Sequence, residues 1–161
     1  MNAFIRDHEG VYRPAEPGQI IGLAKEIISG RLHRSEDIEI TSPTAVMQYL
    51  QLQLAAKERE IFSAMFLDTR HRLIEFKKLF FGTIDGASVH PREVVKAALK
   101  LNAAAVIFSH NHPSGVAEPS QADIQITGRL KSALALVDVR VLDHIVVTAD
   151  DCVSLAQRGH L

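Results

Sequence analysis

Cysteine is nearly absent from this chain: Cys152 is the only one. No intramolecular disulfide can form, which fits a reducing compartment. The flanking "DDCVSL" is acidic and would raise a thiol's pKa, so a catalytic cysteine is not expected. Long apolar runs are missing too. Nothing approaches the roughly 20 residues needed to span a bilayer, and "MNAFIRDHEG" lacks the charged-then-apolar order of a secretory signal. The expected location is the cytoplasm, with no membrane partner. Charge of one sign is lacking as well, since 18 Lys+Arg stand against 19 Asp+Glu for a net −1. The basic residues form no stripe, so nothing in the composition favours a nucleic-acid surface. Internal repeats and low-complexity segments do not occur.

What is present is an ordinary globular composition, 47% hydrophobic and 23% charged, in 161 residues. That length suits one compact domain whose core needs neither disulfides nor structural metals. Residues 1–18 carry no apolar period and read as an extended arm. "GQIIGLAKEIISG" places Ile20, Leu23, Ala24, Ile27 and Ile28 at helical spacing and closes at Gly30. The polar "RLHRSEDIEI" ends in a short extended piece. "SPTAVMQYLQLQLAAKERE" opens with a Ser-Pro helix start and sets Val46, Leu50, Leu54 and Ala55 on one side. From residue 60 the rhythm changes. "EIFSAMFLD" and "RLIEFKKLFFG" predict a β-hairpin around "DTRHR". "HPREVVKAALKLN" predicts a helix, "AAAVIFSHN" a buried central strand, "SQADIQITGRLKSALALV" a second helix and "VRVLDHIVVT" a last strand. The order ββαβαβ predicts an α/β class with a mixed sheet covered by helices. The expected division is an N-terminal arm and helix over 1–41 and a domain over 42–161.

The stretch "SHNHPSG", residues 109–115, carries the chemistry. His110 and His112 are two apart at a strand's end, and such side chains share a face of the strand. The Pro-Ser-Gly that follows turns the chain and leaves the pair at an edge where ligand sites commonly lie. Two imidazoles side by side suit a zinc ion. In the helix from Ser120, the apolar stripe runs through Ile126, Leu130, Leu134 and Val137, and Asp123 falls on it one turn earlier. A buried carboxylate without a partner costs several kcal/mol, and a divalent cation is a suitable one. His110, His112 and Asp123 then give three ligands with a fourth position open for water, the pattern of a catalytic zinc. A metal-activated water still needs a base. Glu60, at the start of the hairpin, is the best candidate, because Glu58 lies in a charged helix end and Glu118 in a loop. Ser120 could donate to a developing oxyanion.

Simpler readings stand beside these. Ser120 and Asp123 also match the S-x-x-[DE] capping box, and an isolated His-x-His is commonly a packed or surface pair. Buried strand, His-x-His, turn and a core-facing Asp eleven residues after the second His form a much rarer combination. His90 reads as a helix-start residue and His144 as structural. His8, His33, His71 and His160 lie in polar stretches and are expected at the surface.

"SHNHPSGVAEPSQAD" is similar to the His-x-His, ten residues, Asp signature of the JAMM (MPN+) metalloproteases. It closely resembles the version in the bacterial RadC-like family. "FLDTRHRLI", "GTIDGASVHPREVVKAALKLNAAAVIFSHNHPSG" and "LVDVRVLDHIVV" look RadC-like too, so the likeness runs from about residue 42 to the C-terminus. The resemblance implies a JAMM/MPN fold like that of cytidine deaminases, a twisted sheet between helices. It implies zinc on His110, His112 and Asp123, an upstream acid/base that matches Glu60, and Ser120 steadying the tetrahedral intermediate. Longer members carry an N-terminal helix-hairpin-helix region suggestive of DNA contact. The roughly 40 residues before the shared part are too few for that module.

The function expected is a zinc-dependent hydrolase of metallopeptidase type, cutting a peptide or isopeptide bond in a protein or peptide substrate through a metal-activated water. The rivals are a DNA-repair-associated accessory protein and a metal-dependent nuclease using the same ligands.

Overall fold

Turn chemistry and apolar periodicity set the elements in chain order. The computed structural model describes residues 4–6, 10–34, 42–83 and 88–161. Strands β1 (Phe4–Arg6) and β2 (Tyr12–Pro14) pair antiparallel in a ribbon of their own, where an extended arm alone was expected. Helix α1 (Pro17–Arg34) continues past Gly30, at which the sequence suggested a stop. Its apolar pattern is buried less than its period implies. Ile20, Leu23 and Ile27 are exposed, while Ile28 packs on the core. The extended piece expected before residue 41, and the expected division at 41/42, fall at residues outside those described.

Helix α2 (Pro43–Leu54) begins as the sequence predicts. Pro43 opens its first turn and the Ser42 side chain accepts from Ala45 N–H. It ends at Leu54, so residues 57–60 form a link and not the further helical turn that the charged run suggested. Strand β3 (Ile61–Leu67) is buried along its whole length and pairs antiparallel with β4 (Leu73–Phe81). Between them the Asp68 carboxylate accepts from Arg70 N–H and Arg72 N–H, both at 2.9 Å. Helix α3 (Pro91–Lys100) buries Val94 and Ala98. Strand β5 (Ala105–Asn111) is the buried run foreseen from "AAAVIFSHN", and α4 (Gln121–Ala135) follows its turn. Strand β6 (Arg140–Val147) is followed by β7 (Cys152–Ser154), a short strand that the acidic "DDCVSL" did not signal.

These last five strands form one sheet in the order β4-β3-β5-β6-β7, with β5 and β6 parallel and the other pairs antiparallel. The architecture is the expected α/β one, a mixed sheet between helices. Strand alternation decides which core each residue joins. Met65, Leu67, Ile107, Ile145 and Val147 face Leu50 and Leu54 of α2. Phe62, Phe66, Val106 and Phe108 face Val94 of α3 and Leu130 and Leu134 of α4. His110 continues the Val106–Phe108 side toward α4, and Asn111 takes the α2 side. No helix among the described residues is long and apolar enough to cross a membrane.

Candidate metal centre

At the end of β5 the backbone turns sharply. His112 N–H donates to Val147 C=O at 2.9 Å, and Gly115 N–H donates to His112 C=O at 3.1 Å. Gly115 has φ of 83°, a conformation that a side chain would strain. The turn brings α4 back over the same face of the sheet, and the three residues expected to share a ligand meet there. His110 Nε2 lies 2.9 Å from His112 Nε2 and 3.3 Å from Asp123 Oδ1, and His112 Nε2 lies 3.7 Å from Asp123 Oδ2. The side chain of His110 is 1% exposed, those of His112 and Asp123 17% and 14%, so the cluster opens outward past the latter two. Among the described residues this is the one group of three such side chains whose ligand atoms lie together, all within 4.8 Å.

Hydrogen bonding fixes where each imidazole carries its proton. The Thr127 hydroxyl donates to Asp123 C=O at 2.6 Å, so toward His144 Nδ1 its oxygen can only accept. His144 is fully buried, and that burial, with His110 next to it, pushes its pKa well below the ordinary value. A neutral ring with its proton on Nδ1 leaves a lone pair on Nε2, which accepts from His110 Nδ1–H at 2.8 Å. His110 therefore points its Nε2 lone pair into the cluster. His112 does the same, since its Nδ1 faces Val116 C=O at 2.8 Å and must be the donor there. Two nitrogen lone pairs at 2.9 Å beside a carboxylate repel one another unless a proton or a metal cation lies among them.

Asp123 shows how the capping reading and the ligand reading coexist. Ser120 N–H and Ser120 Oγ–H both donate to Oδ2, at 2.7 and 2.6 Å, while Asp123 N–H donates to Ser120 Oγ at 3.2 Å. The capping box is complete and leaves Oδ1 turned to His110. Burial alone would raise the Asp123 carboxyl. With a proton among the facing Nε2 atoms, hydrogen bonds from His110 and His112, the charge on His110 and the Ser120 hydroxyl outweigh it and hold that pKa far below the ordinary range. The Asp123 bond raises His112, against the opposing effect of its burial; the contact with Val116 and the charges of Asp123 and Glu60 add to the rise.

Glu60 lines a cavity of about 690 Å³ together with His112, Asp123, Ser120 and, farther along, His90 and Arg129. That volume lies in the range of small-ligand sites. Four of the five residues singled out from the sequence thus line the cavity, with Ser120 acting on Asp123, and the fifth, His110, lies buried behind them against His112 and Asp123. His90 makes no side-chain cap bond at α3 and packs edge-on against Phe80. His71 is half-buried and contacts Arg140 at 2.9 Å, against the surface position expected of it, whereas His160 is exposed. His8 and the His33 side chain lie outside the described residues. The sequence reading missed Thr127 and gave His144 only a structural role. The signals available were Thr127 four residues after Asp123 on one helix face and a lone imidazole in an apolar strand.

The chain is similar to several known proteins. A family model described as RadC-like JAB domain matches residues 40–160. A UPF0758 protein of Vibrio cholerae is 54% identical over 161 residues, all of both chains. A second one from the same organism is 57% identical over 91% of this chain and 91% of its own length. A UPF0758 protein of Methylibium petroleiphilum is 56% identical over 94% of this chain, which covers 68% of that relative.

Proposed function

The chain belongs to the RadC-like JAB-domain family, and from that premise we propose that it is a zinc-dependent hydrolase, a metallopeptidase that cleaves a peptide or isopeptide bond. One observation carries the reading: two imidazoles, each oriented by a hydrogen bond at Nδ1 to present Nε2, converge 2.9 Å apart beside a carboxylate. Such a set suits a cation, and two histidines with one carboxylate are the protein donors of an open catalytic zinc site. His110, His112 and Asp123 would hold it. Zinc bound there would supply a Lewis acid for a carbonyl and ease the deprotonation of water.

The chain's own groups supply the rest. Glu60 borders the cavity beside His112 and takes the role of proton carrier, from the attacking water to the leaving amine. Ser120 keeps Asp123 in place through its N–H, while its hydroxyl, on the same wall, is available to a developing oxyanion once released from Oδ2. Phe62 and Ile126 give the cavity an apolar side that excludes water around the scissile bond. Substrates are proteins or peptides, and the single cysteine fits work in the reducing cytoplasm.

The test begins with metal analysis of wild type and His112→Ala after zinc-replete expression. Wild type holds one zinc per chain and the variant loses it; wild type without stoichiometric zinc refutes the proposal. Glu60→Gln, which keeps the three ligands, is then used to trap substrates from cell extract. Captured proteins that wild type cleaves support a peptidase, whereas hydrolysis of DNA and not of peptides by wild type overturns that reading in favour of a nuclease.

A further inference from the structure

Asn111 stands between the two imidazoles in sequence and faces away from them. Its side chain is 1% exposed, and its carboxamide is spent on one short segment. Oδ1 accepts from Ile61 N–H at 2.9 Å, and Nδ2 donates to Arg59 C=O at 3.1 Å and Lys57 C=O at 3.3 Å. These three backbone groups bracket Glu60. On the other side Glu60 N–H donates to Thr83 C=O at 3.0 Å, and Glu60 C=O accepts from Gly82 N–H at 2.9 Å. Residues 57–60 belong to no helix or strand, yet the backbone around Glu60 is held from both sides.

Few side chains could replace this one. The segment offers one donor and two acceptors, and asparagine answers with one acceptor and two donors. Aspartate keeps the bond from Ile61 but sets a charge against two carbonyl oxygens. Alanine leaves all three groups unanswered in a buried place. Alternation along β5 explains why one residue can link the base to the ligands, since His110 and His112 take one face and Asn111 the other.

We propose that Asn111 is a positioning residue, which registers Glu60 against His110 and His112 and so holds the carboxylate at the cavity. The inference rests on the reading of Glu60 as proton carrier and of the cluster as a zinc site. It adds that the middle residue of His-Asn-His acts on the base and not on the metal.

The test uses the full chain with glutamate labelled at its carboxyl carbon, and the Glu60 signal is assigned by its loss in Glu60→Gln. In wild type, adding Zn²⁺ shifts the Glu60 carboxyl resonance. In Asn111→Ala, zinc affinity measured by chelator competition stays close to wild type and the Ile61 amide exchanges about tenfold faster, as loss of one buried hydrogen bond allows. The Glu60 response to zinc falls by half or more. Asn111→Asp, of the same shape, carries the test if the alanine variant does not fold; it retains slow Ile61 exchange and still loses the Glu60 response. An unchanged Glu60 response in either folded variant overturns the proposal and leaves Asn111 a structural residue. A zinc affinity in Asn111→Ala as low as in His112→Ala overturns it too, because Asn111 then acts on the ligands. If wild type takes up no zinc, the underlying site reading is what has failed, and this proposal falls with it.

Discussion

Replacing Thr127 by valine tests the proton wiring behind the cluster, and its cost can be worked out. Valine has nearly the shape of threonine, so packing at this buried position is preserved and the hydroxyl alone is lost. The Asp123 carbonyl loses little, since it lies within the hydrogen-bonded ladder of α4. His144 has two ways to respond. If it keeps its proton on Nδ1, a fully buried N–H has no acceptor, which costs about 1–3 kcal/mol of stability. If the proton moves to Nε2, it meets His110 Nδ1 and forces the His110 proton onto Nε2, the atom that faces the cluster. Stability without metal is then spared, while zinc affinity falls about 10- to 100-fold, the usual consequence of losing an outer partner of a metal-binding histidine.

Both routes therefore weaken the zinc-bound protein by about 1 kcal/mol or more. Urea unfolding with and without zinc, together with zinc titration against a chelator, tells them apart. Thr127→Ser is the control: it keeps the hydroxyl, gives up about 0.8 kcal/mol for one methyl group and retains wild-type zinc affinity. A Thr127→Val protein that binds zinc as wild type does, and unfolds with zinc bound within about 0.5 kcal/mol of it, would refute the wiring.

Three further outcomes are expected. Chelation of zinc present at about 100 times its dissociation constant removes about 2.7 kcal/mol and lowers Tm by about 5–10 °C in wild type but not in His112→Ala; equal melting of wild type with and without chelator contradicts this. The Cys152 thiol is pushed up to about 11 by burial and by the charge of Asp151. At pH 8 only on the order of 0.1% is thiolate, so iodoacetamide alkylates the native protein at least about 100 times more slowly than the urea-unfolded chain, and similar rates count against the buried placement. The slight desolvation of Asp68 would raise its carboxyl, but the Arg72 N–H, the Arg72 side chain and the Arg70 N–H together hold it below the usual value. A depressed folded pKa stabilises above the unfolded value of about 3.9 and ceases to as pH falls through the folded one. Asp68→Asn thus costs about 0.5–1 kcal/mol at neutral pH, a gap that narrows in acid; a gap in urea midpoints that stays constant to pH 2 would show that the Asp68 charge is not what holds the turn.

Residues close in sequence made the donor triad legible. His110 and His112 share a face because a strand has a period of two, and Asp123 sits in the first turn of the helix that follows. Those relations hold wherever the strand and helix form, so no knowledge of the sheet order is needed. The same locality explains the success with β3, β4 and β5, whose apolar, β-branched and aromatic character is written in their own residues. Helix α1 shows the limit of that logic. Its period was read correctly, yet Ile20, Leu23 and Ile27 are exposed, because a period records which residues share a face and not what covers it.

His144 and Asn111 escaped the sequence for another reason, and it bears on how such a site is built. His144 reaches His110 across a parallel pairing of β5 with β6, and a register shift between Val106 and Ile107 sets His144 opposite Phe108, two residues before His110 on the same face. Asn111 reaches a link fifty residues earlier in the chain. Both contacts depend on the sheet order β4-β3-β5-β6-β7, which no local period encodes. The donors are a property of one strand, turn and helix, while the groups that orient them come from the whole sheet. A short His-x-His and Asp pattern grafted elsewhere would therefore supply three donors without their proton wiring or the hold on Glu60. On the proposed reading the chemistry lies in the pattern and its control in the topology.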